Sequence, residues 1–444
     1  MQDAAALHQI IIVGGGAGGA ELAKKLGNSL GKVQRANIML VDLKLTHLWK
    51  PLLHEVAAGT LNTSVEEMEY IEHALLNGYH FRLGRLEGVD CAGRTILVAA
   101  TLDEKGIEII PQRRFHFDTL ILAIGSVSHH FNIPGVVEHC LFLDSLQQAN
   151  DFQQYLLRKM LKAQTRTAPL REGELHIAIA GAGATGIELA AELMGATRQL
   201  VAYGFDQIDA SRDIKITIIE ASNKVLPALT EGLSEAALLE LQKMNISVMV
   251  NERVVEATDK GFKLQSGVFI AAETMVWAAG IKAADFLANI QGLETNRINQ
   301  LLVKTSLQTT QNENIFAFGD CASCPMDGAE GFVPPRAQAA HQQANLLLKS
   351  MKNRLAGKSL PTYKYIDYGS LVNFGNVTAV GRLMGNLLGK WSGSLNIEGL
   401  LARLFYKSLY QMHRVSLYGY PREILTVLAN WLTSRSKKSR LKLH

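Results

Sequence analysis

An α/β fold made of two copies of one strand–turn–helix unit, followed by an amphipathic helical region, is predicted by three observations. The stretch IIIVGGGAGGAELAKKL (residues 10–26) sets a β-branched run before Gly14-x-Gly16-x-x-Gly19 and then apolar residues at helical spacing. The stretch HIAIAGAGATGIELAAEL (176–193) repeats that order around Gly181-x-Gly183-x-x-Gly186. From Ile397 onward the chain holds only two acids, Glu398 and Glu423, and its apolar residues recur at helical intervals.

The first unit needs glycine for a physical reason. Its backbone must turn sharply, come close to a pyrophosphate and pack the helix on the strand, so that helix N–H groups point at the anion. A second strand, NIMLVD, ends in Asp42, 23 positions after Gly19, where a carboxylate can accept hydrogen bonds from ribose hydroxyls. In the second unit the corresponding strand, IKITIIE, ends in Glu220, 34 positions past Gly186. Ala221, Ser222 and Asn223 follow, so no arginine stands beside Glu220 to receive a 2′-phosphate, and its own charge repels one. The pattern therefore predicts two Rossmann-like domains for two dinucleotides, the second taking NADH rather than NADPH.

The 444 residues suggest two or three domains. With 48% hydrophobic and 19% charged residues the composition is ordinary globular, and no segment reaches the roughly 20 unbroken apolar residues of a spanning helix. The N-terminal stretch lacks the basic start and long apolar run of a signal peptide. Four cysteines in this length do not make a disulfide framework, which agrees with a reducing compartment. The net charge of +4 resides in the last residues. Without Arg435, Lys437, Lys438, Arg440 and Lys442 it falls to −1, which argues against a nucleic-acid-binding surface.

Further segments carry a resemblance. FDTLILAIGS (117–126), with Gly125, and ETMVWAAGIKA (273–283), with Ala279 and Gly280, look like the crossover strands of the two-dinucleotide flavoprotein reductases, which have the glutathione-reductase-like fold. TTQNENIFAFGD (309–320) resembles the second FAD motif of that family, ending in Gly319 and Asp320. THLWKPLLHEVAAGTLN (46–62), GLETNRIN (292–299), and GDCASCP followed by GFVPPRAQAAHQ narrow it further. The chain resembles the bacterial type II NADH:quinone oxidoreductases, respiratory enzymes that pump no protons, along nearly its whole length.

That resemblance implies a set of expectations. FAD is held non-covalently at Gly14, Gly16, Gly19, Asp42, Lys50, Gly125, Gly319, Asp320 and Ala337, with Asp320 on the ribityl hydroxyls. NADH lies on Gly181, Gly183, Gly186, Glu220, Ala279 and Gly280. The domain limits expected are 1–118 and 305–380 for the FAD-binding domain, 119–304 for the NADH-binding domain, and 381–444 for a membrane-association region. The enzyme is expected to be a homodimer lying peripherally on the cytoplasmic face of the cell membrane, and to use a membrane quinone, ubiquinone or menaquinone.

Three residues carry the chemical expectation. Pro334 and Pro335 suit a helix start, and the helix after them sets Gln338 and Gln342 on one face beside Ala337, Ala340 and Ala344. Amides can bond quinone carbonyls without changing charge, and this stretch resembles the signature that borders the family's quinone pocket. A packed helix with merely solvated glutamines is the plain alternative. Glu188, in GATGIE, is expected near the nicotinamide and flavin rings as a proton relay, or else is a carboxylate on a helix face. His341 is read as structural rather than as a proton donor. No metal is expected. Cys321-x-x-Cys324 is read as structural or incidental, against a redox pair or half a metal site. Two other functions stay open: a soluble NADH-dependent reductase of another acceptor, and an NADH-sensing flavoprotein acting through a protein partner.

Overall fold

Strands whose apolar residues run on without alternation must be covered on both faces, which is the condition for parallel sheets. The computed structural model describes residues 7–205, 207–328, 330–375, 378–384 and 394–434. In chain order, the elements that position the site begin with β1 (His8–Val13), α1 (Ala17–Leu26), β2 (Ala36–Asp42), α2 (Leu53–Ala57), β3 (His80–Leu83) and β4 (Thr119–Leu122). They continue with β5 (His176–Ala180), α3 (Ala184–Ala202), β6 (Lys215–Ile219), β7 (Ile246–Met249) and β8 (Thr274–Trp277). Then come β9 (Ile315–Ala317), α4 (Ala337–Leu355), β10 (Gly369–Phe374), β11 (Thr378–Met384), β12 (Ser394–Glu398), α5 (Gly399–Tyr418) and α6 (Tyr420–Ser434).

The first sheet is parallel, in the order β9-β4-β1-β2-β3. The strand order reverses at β1, so the crevice beyond its carboxyl end is where a nucleotide fits. Ile10, Ile11, Ile12 and Leu120, Ile121, Leu122 are all buried in it. A second parallel sheet, β7-β6-β5-β8, repeats the arrangement around β5. Phe262 and Trp277 fill the core packed against its Ala178, Ala180 and Ile219. An antiparallel sheet, β10-β11-β12, carries α5 on an apolar cluster of Ala379, Ile397 and Ala402.

The chain divides into two compact units. Residues 1–49, 67–127 and 281–367 form one, and residues 50–66, 128–280 and 368–444 form the other. These differ from the limits expected above. β4 starts at Thr119 yet pairs with β1 and β9, so the first sheet continues past residue 118. The segment 50–66 joins the second unit because α2 packs on α3, and the strands from Gly369 join it through α3 and α5.

The C-terminal expectation divides as well. α6 is a helix, and Ile424, Leu425, Val427 and Leu428 are exposed on it, together with Tyr420. The basic tail from Arg435 lies outside the described residues. Among the described residues, no helix is long and apolar enough to cross a membrane.

Candidate functional site

Each parallel sheet ends in the same cradle. Gly14 has φ +100°, a conformation that side-chain-bearing residues rarely adopt, and a Cβ there would meet the Ala123 carbonyl oxygen at 2.4 Å. Gly181 repeats it, with φ +108° and the Ala278 carbonyl oxygen at 2.6 Å. At the third position, Cβ atoms on Gly19 and Gly186 would fall 1.9 Å from the Gly14 oxygen and 2.1 Å from the Gly181 oxygen. Around Gly16 and Gly183 there is instead open space. Thus two glycines of each motif are needed by the protein's own packing, and the middle one leaves room for a ligand.

The strand-end carboxylates face these turns. Asp42 Oδ2 accepts the Gly15 N–H at 2.6 Å, and Glu220 Oε2 accepts the Ala182 N–H at 2.7 Å. Glu220 Oε1 also accepts the Ser222 N–H at 2.8 Å. Burial pushes the Asp42 carboxyl above the usual range, opposed by the backbone N–H groups of Gly15 and Lys44. Tyr70, which the sequence did not mark, closes the first cradle. Its hydroxyl donates to the Gly15 carbonyl at 2.6 Å, and its ring stacks on Phe81.

Asp320 is fixed in the same unit. Its Oδ2 accepts from the Ser126 hydroxyl at 2.8 Å, and its carbonyl accepts from the Gln300 amide at 2.9 Å. Gly319 before it has φ +70° and gives its N–H to the buried Gln343 Oε1 at 2.8 Å. Ser126, Gln300 and Gln343 were all missed, because no local pattern marks them. Gln343 sits one residue past the expected pair on α4.

That helix begins at Ala337, and Arg336 at its N-cap supplies no side-chain cap. Its expected glutamines are already engaged. Gln338 donates to the Tyr365 hydroxyl at 3.0 Å and to Asp367 at 3.2 Å. Gln342 clasps the Ile366 backbone at both ends of its amide, accepting the N–H at 3.0 Å and donating to the carbonyl at 2.7 Å. The two share a face, and that face is fastened to residues 363–367. His341 bonds the buried Glu21, where His341 and Lys25 overcome the effect of burial and hold the carboxyl below its usual range.

The second unit contains a buried acidic cluster around Glu188 on α3. Glu188 is 6% exposed, and its Oε1 accepts the Asn373 N–H at 3.0 Å. Burial is the main force that pushes its carboxyl up to about 8, and the charges of Glu55 and Glu192 add to it. His54 Nδ1 stands 3.7 Å from Glu188 Oε2. Burial lowers that imidazole to about 4, so it is neutral at physiological pH. A hydrogen bond to the Pro51 carbonyl leaves His54 Nε2 buried with no partner among the described residues. At neutral pH Glu188 is therefore a carboxylic acid with a proton to give. Lys50, expected at the flavin, lies in this second unit with its ammonium 3.3 Å from Asp144.

The cysteines fit the structural reading. Cys321 and Cys324 are both buried, and burial raises their thiols to about 11 and about 12, so neither offers a thiolate. Among the described residues no group of histidines, cysteines and acids is placed to hold a metal ion.

Residues 8–344 match the family model described as pyridine nucleotide-disulphide oxidoreductase. A type II NADH:quinone oxidoreductase of Haemophilus influenzae is 41% identical over 450 residues, which takes in 99% of this chain and 100% of the relative. The chain belongs to the type II NADH:quinone oxidoreductases. A Staphylococcus aureus member of that family is 28% identical, covering 85% of this chain and 90% of its own. Among solved structures, NDH2 from Plasmodium falciparum in complex with NADH superposes with a TM-score of 0.78 at 21% identity, covering 94% of this chain and 99% of the other. The sulfide:quinone oxidoreductase of Aquifex aeolicus reaches 0.69 at 16%, covering 93% and 92%. At those identities the two structures establish a shared fold. The type II family thus accounts for both glycine cradles within one chain.

Proposed function

We propose that the enzyme oxidises NADH held in the second cradle and delivers both electrons to a membrane quinone, with FAD in the first cradle as the intermediate carrier. The twin cradles carry this reading, since each has open space at its middle glycine and a carboxylate at the neighbouring strand end. FAD fits the first. Gly16 leaves the close approach a pyrophosphate needs, Asp42 faces the ribose position, and Asp320 is held ready by Ser126 for the ribityl chain. FAD, when bound, takes a hydride and passes two electrons onward.

The chain's own residues then have separate tasks. Glu220 selects NADH by presenting a negative charge where NADPH carries a phosphate. The N-terminus of α4 favours negative charge nearby, by roughly 0.3–1 kcal/mol. Glu188 supplies a proton and is left as a buried carboxylate, held by the Asn373 N–H until it is reprotonated. Gln338 and Gln342 hold residues 363–367 against α4, which shapes the face on which a quinone ring would lie. The exposed apolar residues of α6 suit a helix lying in the bilayer interface, and the enzyme would then be a peripheral protein of the cytoplasmic membrane face. Pairing as a homodimer completes the proposal.

The purified protein should show a flavin spectrum that bleaches with NADH and recovers with quinone. A bleached protein that quinone leaves unchanged overturns the reading. With Gln338 and Gln342 both changed to alanine, bleaching by NADH should persist, while the quinone KM rises about tenfold. Unaltered quinone kinetics in that variant would place the quinone elsewhere. Separately, Gln343→Leu leaves the Gly319 N–H buried and unsatisfied, at a cost of about 1–3 kcal/mol. Flavin affinity should fall roughly 10- to 100-fold, read by titrating FAD into the stripped protein.

A further inference from the structure

The second unit contains a buried arginine that the reaction does not use. Arg414 on α5 is 7% exposed. Its Nε lies 2.8 and 2.9 Å from the two carboxylate oxygens of Glu423 on α6, and its Nη1 lies 2.6 Å from Glu66 Oε2. The guanidinium also lies over the rings of Tyr410 and Tyr418, and the Tyr410 hydroxyl bonds Glu66 as well. Breaking a buried ion pair by removing one partner is costly, since the other charge is left without compensation. A node that joins three elements by such pairs therefore fixes their relative placement.

One of the three elements leads to the Glu188 cluster. Glu66 ends the segment 50–66, which carries α2 with His54 and Glu55. Side chains anchor the segment at several points, the first being Lys50 on Asp144. Thr60 Oγ1 donates to Glu192 at 3.1 Å, and Glu66 meets Arg414 and Tyr410. Glu188 is faced by His54 and Glu55 from α2, Glu192 from its own helix, Tyr406 from α5 and the Asn373 backbone from β10. Two of those five come from the anchored segment.

We propose that Arg414 is a positioning residue, which by gripping Glu66 keeps the segment 50–66 closed over Glu188 and so keeps that carboxyl dry. The proposal rests on the reading of Glu188 as the proton-bearing group. Releasing the Glu66 end admits water and lets the Glu55 charge move away. Both changes favour the ionised carboxylate.

The test is the infrared carbonyl band of protonated Glu188, identified as the band that Glu188→Gln removes, followed against pH in the flavin-loaded enzyme. In Glu66→Gln its midpoint should fall by about one pH unit, a tenfold change in the ratio of the two forms. Arg414→Met should give the same shift, and the double variant no more than either alone, because both open one contact. NADH oxidation with ferricyanide as acceptor should stay near wild type in Glu66→Gln. If Glu66→Gln does not accumulate, Arg414→Lys carries the test, since it keeps the charge and loses the fork. A midpoint that stays in place in folded, flavin-loaded variants overturns the proposal, even if turnover declines. A wild-type enzyme that never reduces quinone, with variants that still shift the band, would instead sink the functional reading and leave this inference standing.

Discussion

Glu188→Gln is expected to leave NADH-driven bleaching of the flavin intact and to slow quinone reduction by about 10²- to 10⁴-fold, the usual worth of a positioned proton donor. Glutamine matches the neutral acid in shape and keeps an acceptor for the Asn373 N–H, so the loss reports the proton and not the packing. Wild-type quinone reduction should decline as pH rises through about 8, where Glu188 ionises, and the variant should lack that limb. Stability gives an independent check. The folded carboxyl titrates at about 8 against an ordinary 4.5, so between those values the native state binds more protons than the unfolded one. Stability is then full below 4.5 and falls as pH rises toward 8, and Glu188→Gln should remove that slope. A variant with wild-type quinone rates at every pH would rule out Glu188 as the donor.

The second large effect separates the two cradles. Gly19→Val drives a side chain into the Gly14 carbonyl, only 1.9 Å from the ideal Cβ, and the purified protein should be colourless. Gly186→Val makes the equivalent clash with Gly181 at 2.1 Å, but in the other cradle. It should keep its yellow colour and lose NADH, with the NADH KM raised on the order of 10²-fold or beyond detection. Overpacking at a backbone contact cannot be relieved by a rotamer change, which is why both effects should exceed the usual 1–3 kcal/mol of an overfilled core. Absorbance after gel filtration and rapid-mixing reduction by NADH distinguish the two variants. A yellow Gly19→Val with full flavin content would refute the assignment of the first cradle.

What could be read from sequence was local. A glycine motif contains the turn, the strand and the helix within about 18 residues, and its carboxylate partner lies at the end of the adjacent strand, so spacing alone reaches Asp42 and Glu220. The double proline likewise foretold a helix start, although the helix itself begins just after the prolines, at Ala337. What could not be read depends on chain segments far apart. Gln343 matters because Gly319 packs against α4, and Glu188 is an acid at neutral pH only because α2, β10 and α5 surround it. The same cause explains the glutamines. Periodicity placed Gln338 and Gln342 on one face, but nothing local says that residues 363–367 lie along it. For Lys50 a motif gave a neighbourhood, while the partner it has in the fold, Asp144, lies 94 residues away and carries no local signal.

The bonds that Glu220 makes within its own cradle constrain how the coenzyme preference could evolve. Its carboxylate already serves as the terminus for two main-chain amides, those of Ala182 and Ser222. Neutralising it would leave those amides short of an acceptor before any phosphate arrived. A lineage drifting toward the phosphorylated coenzyme must therefore gain a cation and rebuild the turn together, and each intermediate step is disfavoured. On the proposed reading, the acid at the strand end would act as a ratchet on substrate choice as well as its reader.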